Sequence, residues 1–277
     1  MKIDSHQHFW IYNLVKDTWI NEEMKVIKSD FLPADLQPLL SANQVNGCVA
    51  VQADQTEKET RFLLDLAIDN DFIKGIVGWV DLCADNIDER LEYYYKYKKI
   101  KGFRHIIQAE ADLDFMLSKR FLNGISKLEK YKFTYDILIF PKHLENAGKL
   151  VAKFPNQNFV IDHLAKPDFK NKEFTEWEMG IKAIAKYPNV MCKVSGLVTE
   201  ADWNNWTATD FTYCLDVVTE AFGIDRLMFG SDWPVSLLAT SYADSCDIAE
   251  QYFSKFSKED QDKFWSRNAI DFYQLQA

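Results

Sequence analysis

Eight short apolar runs recur along the chain, each ending in polar residues and most leading into an amphipathic stretch. They span Lys2–His8, Val45–Ala53, Phe72–Leu82, Ile100–Ile107, Phe133–Phe140, Asn158–His163, Val190–Gly196 and Arg226–Asp232. From His8 to Asp232 their ends are spaced by about 32 residues, the length of one strand–helix unit. Runs such as IVGWV, YDILIF, NFVID and RLMFG are apolar on both faces, as strands covered on both sides must be. The segments between them read as helices. In Glu57–Asp69, Phe62, Leu63, Leu66 and Ala67 share a face at 3.6-residue spacing. Asp85 is placed to cap Asn86–Lys98, and Phe211–Phe222, Tyr242–Phe253 and a closing Glu259–Tyr273 repeat the pattern. No linker or low-complexity tract interrupts the series. The expectation is an α/β chain forming a single (β/α)8 TIM barrel over residues 1–277, with parallel strands and its site at their C-terminal ends. A doubly wound sheet would call for a glycine-rich first turn, where this chain reads SHQHFW.

Composition narrows the function. Lys and Arg total 32 against 42 Asp and Glu, a net charge of -10 that repels phosphate backbones and anionic lipid. No nucleic-acid or membrane partner is therefore expected, and no stretch reaches the length of a membrane span. The KYKKIK run at 96–101 reads as a solvated helix end. The five cysteines are widely spaced, without a CxxC pair, and the N-terminal segment carries charge and histidine where a signal peptide needs an apolar core. A cytoplasmic location is expected; the oligomeric state is not readable.

The chemistry-bearing residues gather at the strand ends, where four of the five histidines lie. His6 and His8 are two residues apart, so one strand presents both imidazoles to one point, suited to a divalent metal or a carbonyl oxygen. His163 and Asp232 end the sixth and eighth runs. Arg104 and His105 are neighbours and face opposite ways on a regular strand; His105 is expected inward, with Arg104 in an ion pair or at the rim. Lys166 is placed either to reach substrate hydroxyls or to pair with a carboxylate. Lys193 and Ser195 share a face, to meet substrate or to form a buried network. Trp79 and Trp233 stand at strand ends where they could stack on a sugar, and Trp10 and Trp19, in the long first loop, could form a lid. Neither Ser195 nor Ser231 sits in a GxSxG elbow, which speaks against a serine nucleophile.

Taken in order, DSHQHFW, DFLPADLQPLL, VQADQTEKETRFLLDLA, GWVDL, GFRHIIQ, FVIDHLAKP, KVSGLVTE, FGSDWPV and NAIDFY cover nearly the whole chain. This text resembles the amidohydrolase superfamily, and within it the amidohydrolase-related branch that hydrolyses sugar lactones. The resemblance implies a distorted barrel and hydrolysis of the cyclic ester of a sugar acid in carbohydrate metabolism. It assigns the first-strand pair to His6 and His8, the sixth-strand histidine to His163 and the eighth-strand aspartate to Asp232. For the chemistry of opening a lactone, Asp232 is the expected base, since a carboxylate can take a proton from water, with His6, His8 and His105 polarising the carbonyl and His163 orienting water or substrate. Arg104, Lys166, Trp79 and Trp233 are the candidates for holding the substrate. Two departures weigh against a two-metal centre: the fourth strand end reads Phe103-Arg104-His105, and the fifth carries only Asp136. One divalent, zinc-like metal on His6, His8 and Asp232 and a metal-free mechanism both remain open. The rival activities are a metal-dependent decarboxylase of the same superfamily, for which Arg104 would read a carboxylate, and a non-catalytic carbohydrate-binding barrel.

Overall fold

The computed structural model describes residues 1–276. Its eight strands are β1 (Ile3–Gln7), β2 (Gly47–Val51), β3 (Ile73–Gly78), β4 (Ile100–His105), β5 (Thr134–Ile137), β6 (Phe159–Ile161), β7 (Val190–Val194) and β8 (Leu227–Phe229). They are parallel and ordered as in the chain, and each lies inside one of the eight apolar runs. One helix follows each strand: α1 (Pro33–Ala42), α2 (Glu57–Asp69), α3 (Ile87–Tyr95), α4 (Lys119–Leu128), α5 (Leu144–Lys153), α6 (Thr175–Ile184), α7 (Thr212–Phe222) and α8 (Tyr242–Phe253). The result is the expected (β/α)8 barrel. No helix among the described residues is long and apolar enough to cross a membrane.

Several local expectations are corrected. The buried residues of α2 are Glu59, Thr60, Leu63, Leu64 and Ala67, so Phe62 and Leu66 lie at the edge of the buried stripe. The cap of α2 is Thr56, whose hydroxyl accepts the Glu59 N–H. Asp85 does not cap α3; it pairs with Arg120 at 3.4 Å, and Asn86 precedes the helix. The closing helix is broken into α9 (Lys258–Asp262), a π-helical turn over Lys263–Arg267 and α10 (Asn268–Tyr273).

The barrel interior is layered. At its base Ile3, Val49, Val51, Val77, Val160 and Met228 meet Phe272, Tyr273 and Leu275, so the chain's last helix plugs the barrel. Phe103, Tyr135, Phe159 and Phe229 belong instead to the layer between strands and helices. Register then fixes what lies above the plug. Arg104 pairs with Asp136, and Asp136 with the inward Val160; Lys193 pairs with the inward Met228. Parallel neighbours in register share a face, so Arg104, Asp136 and Lys193 point inward.

The sheet forms no regular ladder between β8 and β1. That seam is crossed by one bridge between Gln7 and Trp233, by the Asp232 N–H on the His6 carbonyl (2.8 Å), and by the His8 N–H on the Trp233 carbonyl (2.7 Å). Gly230 makes this approach feasible, since a Cβ there would stand 2.7 Å from the Cβ of His6. A register shift in β1 between Asp4 and Gln7 adds a second irregularity. Ile3 and His6 both face inward although three residues apart, which an unbroken pleat forbids. Asp4 faces the helix layer, where it meets Tyr242 of α8.

Candidate active site

Above the plug lies a fully buried charged layer. The Lys193 ammonium donates to Asp136 Oδ2 (2.5 Å) and stands 3.0 Å from Asp162 Oδ1; Tyr273 donates to the same Asp136 oxygen (2.7 Å). Arg104 Nη1 donates to Asp162 Oδ2 (3.0 Å), and its Nη2 to the carbonyl and side-chain oxygen of Gln52. Two cations thus face two carboxylates. Burial raises Asp136 to about 6, helped by the charge of Asp162 and opposed by Lys193. Burial also acts on Asp162, but Lys193, His6 and Arg104 outweigh it and hold that carboxyl well below the usual range. Lys193 therefore belongs to a structural network, the second of the two readings its position allowed.

His6 rests on this layer, with Nδ1 3.3 Å from Asp162 Oδ1 and 3.1 Å from Lys193 Nζ. With its proton on Nδ1, toward Asp162, His6 offers Nε2 to Arg104 Nη1 at 3.2 Å; with its proton on Nε2, its Nδ1 accepts from Lys193. His8 Nδ1 lies 2.8 Å from the Val51 carbonyl, so it donates there and its Nε2 also keeps a lone pair. The two Nε2 atoms are 3.3 Å apart. Asp232 Oδ1 completes the group at 3.4 Å from His8 Nε2, 3.9 Å from His6 Nε2 and 3.8 Å from His163 Nε2. Burial disfavours the Asp232 charge, yet the facing His163 and His8 hold its carboxyl below the ordinary value. Burial pushes His6 well below the ordinary imidazole value and His163 down to about 4. Neutral His6 and His163 and an ionised Asp232 therefore coexist at neutral pH.

His163 reaches this place on unusual backbone. His163, Leu164, Ala165 and Lys166 have φ of 53°, 53°, 57° and 56°, one turn of left-handed helix. Such residues cost about 1–2 kcal/mol each. The turn is held by the Lys166 N–H on the His163 carbonyl (2.7 Å) and the Trp177 indole N–H on the Leu164 carbonyl (2.6 Å). His163 Nδ1 pairs with Ser195 Oγ at 2.8 Å, and Gly196 lies so close that a Cβ would stand 2.6 Å from that nitrogen.

His6, His8 and Asp232 form one group whose ligand atoms could hold a metal ion; His6, Asp162 and His163 form another. The first set fits. Two nitrogens on one tetrahedral ion at about 2.0–2.1 Å stand about 3.3 Å apart, and facing lone pairs call for a cation or proton between them.

His8, Asp232, His163, Arg104 and Lys166 line a cavity of about 440 Å³. Its walls add Trp10, Trp19 and Trp203, with Met24, Ile106, Leu138, Val235 and Leu238 as an apolar side and Gln108 and Glu200 as polar contacts. Lys166 pairs with Glu200 at 2.7 Å on the rim. Trp10 and Trp19 do stand over the site, edge to face with centroids 6.0 Å apart. Three candidates are elsewhere. His105 points away from the barrel axis, pairs with Glu110 at 2.7 Å and stacks on Phe115, so the expected orientation of Arg104 and His105 is reversed. Trp79 turns its indole N–H toward His105 (3.4 Å). Trp233 is buried against Phe9 and Phe31, outside the cavity lining. Sequence reasoning missed Trp203, in the loop well past β7, and Gln108, in a short 3-10 turn just after β4. It gave no role to Asp162, although that residue adjoins His163.

Comparison with known proteins gives the chain's family. The chain is 39% identical over 286 residues to an L-fucono-1,5-lactonase of Burkholderia multivorans, covering 99% of this chain and 96% of that protein. It is 34% identical to an L-fucono-1,5-lactonase of Burkholderia ambifaria, with 99% and 96% covered. A crystal structure of a Burkholderia multivorans amidohydrolase with bound zinc superposes with a TM-score of 0.96 at 38% identity, covering 100% of both chains. The amidohydrolase family model matches residues 3–275, and the chain belongs to the amidohydrolase family.

Proposed function

We propose that this protein opens the 1,5- or 1,4-lactone of a sugar acid by adding water across the ring ester. The observation that carries the reading is the convergence of Asp232 with the imidazoles of His8 and His163 on one cavity, in a chain 39% identical to an L-fucono-1,5-lactonase. The water oxygen bonds to the carbonyl carbon, the ring C–O bond breaks, and the released alkoxide takes a proton, giving a hydroxy acid. Asp232, ionised and buried, accepts the proton of the attacking water and returns it to the leaving oxygen. His163 orients water or substrate from its left-handed turn. Arg104, fixed by Asp162 and Gln52, presents a preorganised positive charge where the carbonyl oxygen becomes negative.

His6, His8 and Asp232 would hold one divalent ion, which supplies Lewis-acid polarisation and a more acidic water when bound. Lys166 and Glu200 on the rim offer partners for sugar hydroxyls, while the apolar wall with Trp10, Trp19 and Trp203 suits the C–H face and a deoxy carbon. The five free cysteines and the acidic charge fit a cytoplasmic enzyme of sugar breakdown. A panel of sugar lactones assayed by acid release tests the reading. Turnover of at least one hexono- or deoxyhexonolactone is expected. An inert panel, or CO₂ release from a carboxylated ring in its place, overturns it.

A further inference from the structure

The proposed catalytic groups stand on opposite sides of the barrel's irregular seam. His6 is on β1 and His8 directly follows it, while Asp232 follows β8, two strands with no regular ladder between them. Asp4, fully buried on the outer side of β1, spans that seam. Its Oδ1 accepts the backbone N–H of His6 (3.1 Å) and of Ser231 (2.9 Å). Its Oδ2 accepts the Ser231 hydroxyl (2.6 Å) and the Tyr242 hydroxyl (3.1 Å). The Ser231 Oγ in turn accepts the Trp233 N–H (3.0 Å). One carboxylate thereby fixes the amide of His6 and both neighbours of Asp232, whose own φ of 57° is a conformation that needs such support.

We propose that Asp4, acting through Ser231, is a positioning residue that reinforces the few backbone bonds across the irregular β8–β1 seam and so fixes Asp232 relative to the histidine pair. All four groups donating to Asp4 are uncharged. A buried carboxylate without a cation is costly for stability, so its use here follows from geometry. An amide cannot reproduce it. With Asn at this position the Ser231 oxygen would have to accept from both the amide and the Trp233 N–H, and the Ser231 proton would lose its acceptor.

The inference rests on the lactonase reading of the site, and a matched pair of variants tests it. Ser231→Ala and Tyr242→Phe each remove one hydroxyl from the same Asp4 oxygen, but only Ser231 adjoins Asp232. Steady-state kinetics on a lactone that wild type opens and calorimetric titration of metal-stripped protein with zinc are read separately. Ser231→Ala is expected to lower kcat about 10- to 100-fold with KM little changed, and to weaken zinc binding by a similar factor. Tyr242→Phe is expected to keep both within about twofold while losing some thermal stability. Asp4→Asn should follow Ser231→Ala; where it does not fold, the other pair decides. Wild-type kcat and zinc affinity in Ser231→Ala, or equal losses in both variants, would overturn the positioning role. A wild type inert on every lactone, with the zinc pattern intact, would instead remove the lactonase reading alone.

Discussion

The Nε2 atoms of His6 and His8 face one another at 3.3 Å. Two acceptors at that distance repel unless a cation or a proton lies between them, and Asp232 Oδ1 at 3.4 Å from His8 adds negative charge to the same point. Metal-stripped protein is therefore expected to take up a single equivalent of zinc. His8→Asn and Asp232→Asn should each weaken that binding by about tenfold or more, because each removes a ligand and not merely an outer support. Isothermal titration calorimetry checks this, and unchanged affinity in both variants would place the ion elsewhere.

Asp232→Asn also separates chemistry from architecture. Asn tolerates the left-handed backbone that Asp232 adopts, so the loop should keep its shape. The amide cannot take a proton from water. A fall in kcat of about 10²- to 10⁴-fold is expected, with a Tm close to that of wild type. A variant that turns over normally would show that another group acts as base.

The strand-end residues that proved to converge, His6, His8, His163 and Asp232, were legible because alternating strand and helix segments locate every strand end. Which side of a strand faces the barrel was not. In β4 the order Phe103, Arg104, His105 allows either orientation, and only register with Asp136 and Val160 decides it. The β1 irregularity was equally hidden, since the spacing of His6 and His8 is the same with or without a shift before them. Trp203 could not be placed because its loop position depends on tertiary contacts with no period. The break in the closing helix has the same source: its sequence stays helical in pattern while its packing against β8 imposes a π-helical turn.

The reversed orientation at β4 makes Arg104 and His105 a direct comparison. Arg104→Lys keeps the charge but loses the fork that grips Asp162 and Gln52 together. It is expected to lower kcat/KM by about 100-fold or more, since the positive charge would no longer be held at the carbonyl. His105→Ala removes a ring bound to Glu110 and Phe115 outside the cavity, and should leave kcat/KM within about threefold of wild type. Kinetics of the two variants side by side decide the matter; the opposite ranking would return His105 to the site.

His163 gives a stability prediction whose sign follows from burial. In the folded chain its imidazole is pushed down to about 4, first by burial, with Asp232 and Asp162 opposing. Unfolded, it returns to about 6.5. Above that value both states carry neutral His163, and its protonation contributes nothing. As pH falls through the window between the two values, the unfolded chain takes up a proton that the folded chain does not, so stability is lost, by about 3 kcal/mol at most. Asp4 and Asp136, each raised to about 6, act in the opposite direction over much of that range. The total curve therefore hides the effect, whereas a difference between wild type and His163→Gln cancels the shared carboxylates. In metal-stripped protein, urea unfolding should show the wild type losing stability relative to His163→Gln as pH drops from 7 to 4.5. A difference that does not change with pH would mean that His163 titrates in the folded protein as it does in the unfolded chain, with the charge of Asp232 offsetting burial.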